Sequence, residues 1–345
     1  MGRPALILAA LAAEAAPDLR FTGYLPNHSD GIDELELRTE TGEEYLLRVP
    51  ASASGERELA LEIRILASLH PYANQLPFTI PTRIGETRDL SGYQATLFSA
   101  MGGKTPNPER LGPGDFSRSF GAALAAIHSL PLAVVRDGGL PDFDAVAILH
   151  RKVAELDRIA ATGRVPADLL NRWERAMEDV NLFRYRPTVL HGGISSASIH
   201  LAGQRVVGLS GWHNLRIGDP AEDFVWLIQG TLENTQVDTF LTYRTIRNSA
   251  DENLQQRATL YSELAVGVWL LHLLETDAEP DAVAEAEDML TELRGELEAG
   301  KLLDLKSSSF IGMAAATSLL PEITRVNTGP IEVVNEEEHN SDELF

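Results

Sequence analysis

The 345-residue sequence predicts an α+β chain in two lobes: a small β-rich N-lobe with one inserted helix and a large helical C-lobe. Three observations predict it. Residues 18–98 are mostly alternating or β-rich stretches. Residues 99–108 (SAMGGKTPNP) form a Gly- and Pro-rich linker. After it, apolar residues recur at helical spacing over most of the chain.

Taken in order, Arg3 is followed by ALILAALAA, which fits either the apolar region of a signal peptide or an Ala/Leu helix after Pro4. A single positive residue before it, and Glu14 soon after, favour the helix. ELELR (34–38) and EYLLRV (44–49) read as strands, with Thr41-Gly42 turning between them. Leu59, Ile63, Leu66 and Leu69 give a helix over 55–70. Pro77 and Pro81 bracket a short extended segment, and GYQATLF (92–98) is a further strand. Residues 1–98 are thus an N-lobe of N-terminal helix, antiparallel sheet and one helix, and 99–108 are a hinge.

The C-lobe runs over 109–298. Its helices are expected at 115–129, 144–162, 166–181, 219–230, 236–248, 252–275 and 281–298, with short strands TVL (188–190) and RVVGL (205–209) among them. Residues 299–345 are an extension: FIGMAAATSLL is apolar, and the closing IEVVNEEEHNSDELF holds six acids and no Lys or Arg. Such a tail is normally solvated and disordered, and it is also a candidate segment for a protein partner.

Composition excludes several classes. There are 29 Lys+Arg against 51 Asp+Glu, a net charge of −22. A nucleic-acid binder needs a basic footprint, and an anionic membrane surface attracts basic segments. Neither partner is expected, and no stretch is long enough to cross a bilayer. With no cysteine there is no disulfide, thiolate metal site or thiol nucleophile. A cytoplasmic protein is the default expectation. Lysine occurs only at 104, 152, 301 and 306, so a cation needed earlier in the chain must be an arginine.

The informative stretch is 187–227, PTVLHGGISSASIHLAGQRVVGLSGWHNLRIGDPAEDFVWL. His191-Gly192, Trp212, Gly218-Asp219-Pro220 and Asp223-Phe224 give it a pattern that resembles the aminoglycoside/macrolide phosphotransferase family, a small-molecule branch of the kinase-like fold. FGAALAAIHSLP, RVPADLLNRWERAMED and TGEEYLLRVP upstream are similar to family segments as well, so the resemblance covers about residues 1–298. It implies a bilobal protein-kinase-like fold. It implies that Arg48 is the phosphate-binding cation, braced by Glu62, and that Phe98 and Ala100 are nucleotide-contacting positions. Asp219 and Asp223, with Trp212, Gly218 and Pro220, are the structural part of the motif. ATP or GTP with Mg²⁺ is the implied cofactor only where activity or nucleotide binding is retained.

The sequence departs from the family where chemistry is required. The catalytic acid's position is Gly193, the downstream metal-ligand position is Ser198, and the metal-binding acid's position before the tryptophan is Gly211. Residues 191–218 contain no Asp or Glu, so no catalytic group or metal ligand set is intact. General base catalysis is worth about 10²–10⁴ in rate, and metal stabilisation several kcal/mol more. His191 is expected to be a buried, hydrogen-bonded residue. His191, His200 and His213, 9 and 13 residues apart, match no recognised ligand spacing. Three readings follow. The first is a pseudokinase that binds a partner or a ligand, nucleotide or other small molecule, in the inter-lobe cleft. The second is an active phosphotransferase with its acid relocated to Asp219 or Glu222. The third is a protein acting through its acidic extension.

Overall fold

The computed structural model describes residues 2–29, 31–248 and 251–307. Helix α1 (Ala5–Ala15) precedes strands β1 (Phe21–Ser29), β2 (Ile32–Thr39) and β3 (Glu44–Pro50). Helix α2 (Ala53–Leu69) follows, then β4 (Arg83–Arg88) and β5 (Gln94–Ser99). The five strands form one antiparallel sheet in the order β1-β2-β3-β5-β4. Side chains alternate across it. Leu35, Leu37, Leu47, Val49, Ala95 and Leu97 bury one face against Leu8, Leu11 and Ala12 of α1. The N-terminal apolar run is therefore a packed helix. The opposite face carries Glu34, Arg48 and Thr96 in register. Toward that face α2 turns Glu62, and its start is capped by Ser52, whose hydroxyl accepts from the Gly55 N–H.

The segment after β5 is tied at both ends of its path. The Ala100 N–H donates to the Glu44 carbonyl, and Lys104 and Leu201 exchange backbone hydrogen bonds. The helical part comprises α3 (Asp115–His128), α4 (Ala133–Arg136), α5 (Ala145–Ala161), α6 (Ala167–Glu178), α7 (Val225–Gly230), α8 (Glu233–Ile246), α9 (Leu254–Glu275) and α10 (Pro280–Glu298). Between α6 and α7 lie β6 (Thr188–Leu190), β7 (Ile199–Ala202), β8 (Arg205–Leu209) and β9 (Arg216–Gly218). β6 pairs with β9 and β7 with β8, both antiparallel. The apolar face of α3, Phe116, Phe120, Leu124 and Ile127, is wholly buried.

Two differences from expectation have a plain physical cause. The helix expected over 219–230 is a 3-10 turn, Pro220–Phe224, followed by α7. Proline at the first position and the Asp219 cap start the chain tightly. Strand β4 gave no sequence signal because RIGETR is a polar, mostly exposed edge strand. Of the extension, residues to Ser307 are described. Leu305 is buried, and the Ser307 N–H donates to Asp179 at 2.9 Å. The expected apolar segment and acidic tail lie outside the described residues. No described helix is long and apolar enough to cross a membrane.

Candidate functional site

The loop from His191 to Ser198 leaves β6, and the turn at Ser210–Trp212 leaves β8, so the two strand pairs bring both halves of the motif together. A Cβ added at Gly193 would sit 3.6 Å from the Gly211 carbonyl oxygen, and one added at Gly211 would sit 3.7 Å from the Ser198 Cβ. The three positions singled out in the sequence are therefore spatial neighbours. None carries a charge. The Ser198 hydroxyl donates to the Ser195 carbonyl and accepts from the Ser195 N–H, at 3.0 and 2.9 Å. Beside Gly193 stands Asn214, whose Nδ2 would lie 3.3 Å from the added Cβ.

His191 is fully buried and packs on Trp212 with ring centroids 4.4 Å apart. Its Nε2–H donates to the Ser210 carbonyl at 2.9 Å, and its Nδ1 accepts from the Gly193 N–H at 3.2 Å. Burial holds its pKa below the usual histidine value, so the ring is neutral and fixed in one tautomer. Trp212 is buried too, donating to the Leu209 carbonyl and stacking on Phe78. Both residues shape the loop and expose nothing to a substrate.

Behind the loop the carboxylates are committed. Asp223 accepts the backbone N–H groups of His191 and Gly192, each at 2.8 Å, and a third hydrogen bond from His128 Nε2 at 3.1 Å. Tyr243 donates to His128 Nδ1 at 2.8 Å, and Arg247 donates to the Tyr243 oxygen at 2.8 Å. The chain Arg247–Tyr243–His128–Asp223 thus runs in one donor direction into the loop. Burial depresses the His128 pKa and raises that of Tyr243 to about 12. Burial works against the charge on Asp223, yet the hydrogen bonds it receives keep its pKa below the ordinary carboxylate value.

Asp219 is held as firmly. Arg257 grips it through Nε at 2.6 Å and Nη2 at 3.0 Å, Tyr261 donates to it at 2.8 Å, and it caps the Ala221 N–H at 3.0 Å. Both Arg257 and Asp219 are fully buried. Pro220 locks the turn between the two acids, and Gly218 ends β9 where any side chain would strike Leu190. Glu222 pairs with Arg216 at 2.8 Å, and Arg216 also donates to the Gly192 carbonyl at 3.2 Å. Gly192 itself has φ +74°, and a Cβ there would lie 2.0 Å from the Arg216 Nη1. His128, Tyr243, Arg257 and Tyr261 carried no sequence signal beyond helical spacing, since each lies far along the chain from the acid it serves.

On the sheet, Arg48 stands opposite Glu34 and donates to it at 2.9 Å, and it also pairs with Glu62. The Glu62 side chain is 4% exposed, so it is a buried partner and not a solvated helix residue. Burial opposes the Arg48 charge, and the two carboxylates outweigh that and raise its pKa. The cluster carries one cation and two anions. Phe98 is buried in β5, and the Ala100 N–H is taken by Glu44. Among the described residues, no three His, Asp or Glu side chains converge to hold a metal ion.

The profile of the phosphotransferase enzyme family matches residues 26–294. Among solved structures, the chain is similar to macrolide 2′-phosphotransferase type I, at 22% identity over 81% of this chain and 94% of that one, with a TM-score of 0.66. It is similar to macrolide 2′-phosphotransferase MphH from Brachybacterium faecium at 19% identity, over 83% and 98% of the two chains, with a TM-score of 0.69. It is also similar to the GDP and kanamycin complex of APH(2″)-IIIa at 17% identity, over 84% and 98%, with a TM-score of 0.64. At these identities the likeness is one of fold, and it is the kinase-like α+β fold of those enzymes. No curated protein matches the chain.

Proposed function

Because the chain belongs to the phosphotransferase enzyme family, we propose that it is a pseudokinase, a member that binds and does not transfer phosphoryl groups. The observation that carries this is the pairing of Gly193 with Gly211 across the loop, with every neighbouring carboxylate already engaged. Phosphoryl transfer is mostly positioning and charge stabilisation, supplied by a carboxylate at the attacking hydroxyl and by Mg²⁺ on oxygen ligands. Two glycines and a locally bonded serine do not fit a Mg²⁺–nucleotide in that way. The Glu34–Arg48–Glu62 cluster supports the same reading, because two carboxylates already engage the guanidinium and offset its attraction for a phosphate.

Of the two acids considered for a relocated role, Asp219 is sealed by Arg257 and Tyr261, and only Glu222 has surface to offer. Phosphorylation of macrolides or aminoglycosides, the activity named for the similar structures, is not carried over. We place the protein in the cytoplasm as part of the same proposal. The test is turnover of ATP and GTP with and without Mg²⁺, alongside thermal-shift titrations of each. The expected result is no phosphate release above background and no Mg²⁺-dependent shift. Mg²⁺-dependent turnover that disappears in Glu222→Gln would overturn the proposal in favour of a relocated acid.

A further inference from the structure

A cavity of about 540 Å³ opens beside the loop, between α2 and α5. Four basic side chains line it, Arg64, Arg151, Lys152 and Arg216, against two acids, Glu155 and Glu222. Both acids are spent within the cavity wall: Lys152 pairs with Glu155 at 2.9 Å and Arg216 with Glu222 at 2.8 Å. Arg64 and Arg151 have no carboxylate within salt-bridge reach among the described residues. Arg151 lies instead over the Phe143 ring, 4.4 Å from its centroid, which fixes the guanidinium plane and leaves its N–H edge open. In a chain with a net charge of −22, two arginines without acid partners in one concavity are a local inversion of sign.

We propose that this cavity binds a small polyanion, a molecule bearing two or more phosphate or carboxylate groups. The inference rests on reading the protein as a binding module and names the chemistry of its ligand. Guanidinium groups suit such ligands because their paired N–H donors match two acceptor oxygens at once. The volume falls in the range of small-molecule sites. A polycation is excluded from the same place by charge. The cavity also touches the loop. Asn214 lines it and is the side chain that stands beside Gly193, and Arg216 lines it and donates to the Gly192 carbonyl. An occupant there would brace α2, α5 and the loop together.

The experiment is isothermal titration of the full chain with pyrophosphate and with citrate, and with spermine as the polycation, at low and moderate salt. Binding of at least one of the two anions, weakened by added salt, and none of spermine is expected. The tighter of the two anions identifies the acid group. Arg64→Ala/Arg151→Ala should weaken that binding at least about tenfold while lowering the ligand-free melting temperature by no more than about 2 degrees, since among the described residues neither arginine holds an ion pair and only the Arg151–Phe143 contact is lost. The single variant Arg64→Gln should give an intermediate loss should the double variant fold poorly. Absence of binding by both anions, or binding that the variants do not weaken, would overturn the proposal. Nucleotide turnover is measured separately, so activity would overturn the reading of the loop without deciding the cavity, and a silent titration would remove the cavity without restoring the loop.

Discussion

Behind the loop that joins β6 to β7, each charged group meets its partner: Asp219 meets Arg257 and Tyr261, and Asp223 meets His128 and two backbone amides. In front of it, Gly193, Ser198 and Gly211 share a corner that contains no ionised side chain. Both regions belong to one sequence motif. The rear is a folding device, because a buried carboxylate without its donors is too costly to keep. The front is held by short local hydrogen bonds around Ser198 and Gly193 and buries no charge. The motif therefore separates into a part whose buried carboxylates hold the backbone and a part that carries no ionised side chain.

The comparison breaks most visibly at Asp219. Asp219→Ala strands the fully buried Arg257, leaving it Asp251 and the Leu182 carbonyl. Removing one partner of such a pair costs about 3–5 kcal/mol. Urea denaturation of the two proteins should show that loss, and a change under about 1 kcal/mol would mean that the rear is not what holds the loop. A smaller effect is expected at Gly192→Ala. The positive φ disfavours any side chain, and the new Cβ would displace Arg216 from Gly192 and Glu222. The expected cost is about 1–3 kcal/mol, again by denaturation.

Much of this architecture was legible beforehand. Alternation at Leu35, Leu37, Leu47 and Val49, and helical spacing at Phe116, Phe120, Leu124 and Ile127, follow from which face is buried, and a single chain records that directly. Strand β4 was not legible, because an exposed edge strand needs no apolar pattern. In the site, His191, Asp219 and Asp223 were legible through the motif, but their partners were not. His128 reaches Asp223 from a helix 95 residues upstream, and Tyr243, 115 residues after His128, acts on it through that ring. Buried polar pairing across such separations is set by the fold and leaves no local trace. The basic cavity was hidden for the same reason, since Arg64 and Arg151 look like ordinary helix-surface residues until α2 and α5 are side by side.

The rear also titrates. Burial keeps the pKa values of His128 and His191 below the ordinary value of about 6.5 that the unfolded chain has. Below that pH the unfolded state binds more protons than the native one, so stability rises with pH there. The contribution is complete above about pH 6.5 and is lost progressively as pH falls from there toward the depressed native values. The melting temperature should therefore drop between pH 7 and 5, and His128→Gln should flatten part of that drop while lowering stability at pH 7 by about 1–2 kcal/mol. A profile in His128→Gln identical in slope to the parent's would show that the buried imidazole beside Asp223 is not a source of the pH dependence.

The smallest structural effect, and the sharpest use of the comparison, is expected in front. A Cβ at Gly193 meets Asn214 at 3.3 Å, an exposed side chain that can move aside, and one at Gly211 meets Ser198 at 3.7 Å, an ordinary contact. Gly211 has φ +76°, a region that aspartate tolerates better than most residues. Gly193→Asp alone should cost less than about 1 kcal/mol, within the range of substitutions that touch no buried network. Gly193→Asp/Gly211→Asp places two carboxylates in one corner, where like charges raise each other's proton affinity and a divalent cation relieves the repulsion. The double variant should gain a Mg²⁺-dependent rise in melting temperature that the parent lacks and that K⁺ at equal ionic strength does not reproduce. If instead parent and double variant respond to Mg²⁺ alike, carboxylates placed in this corner do not hold a cation, and the proposed contrast between a charge-bonded rear and a front able to take a metal fails.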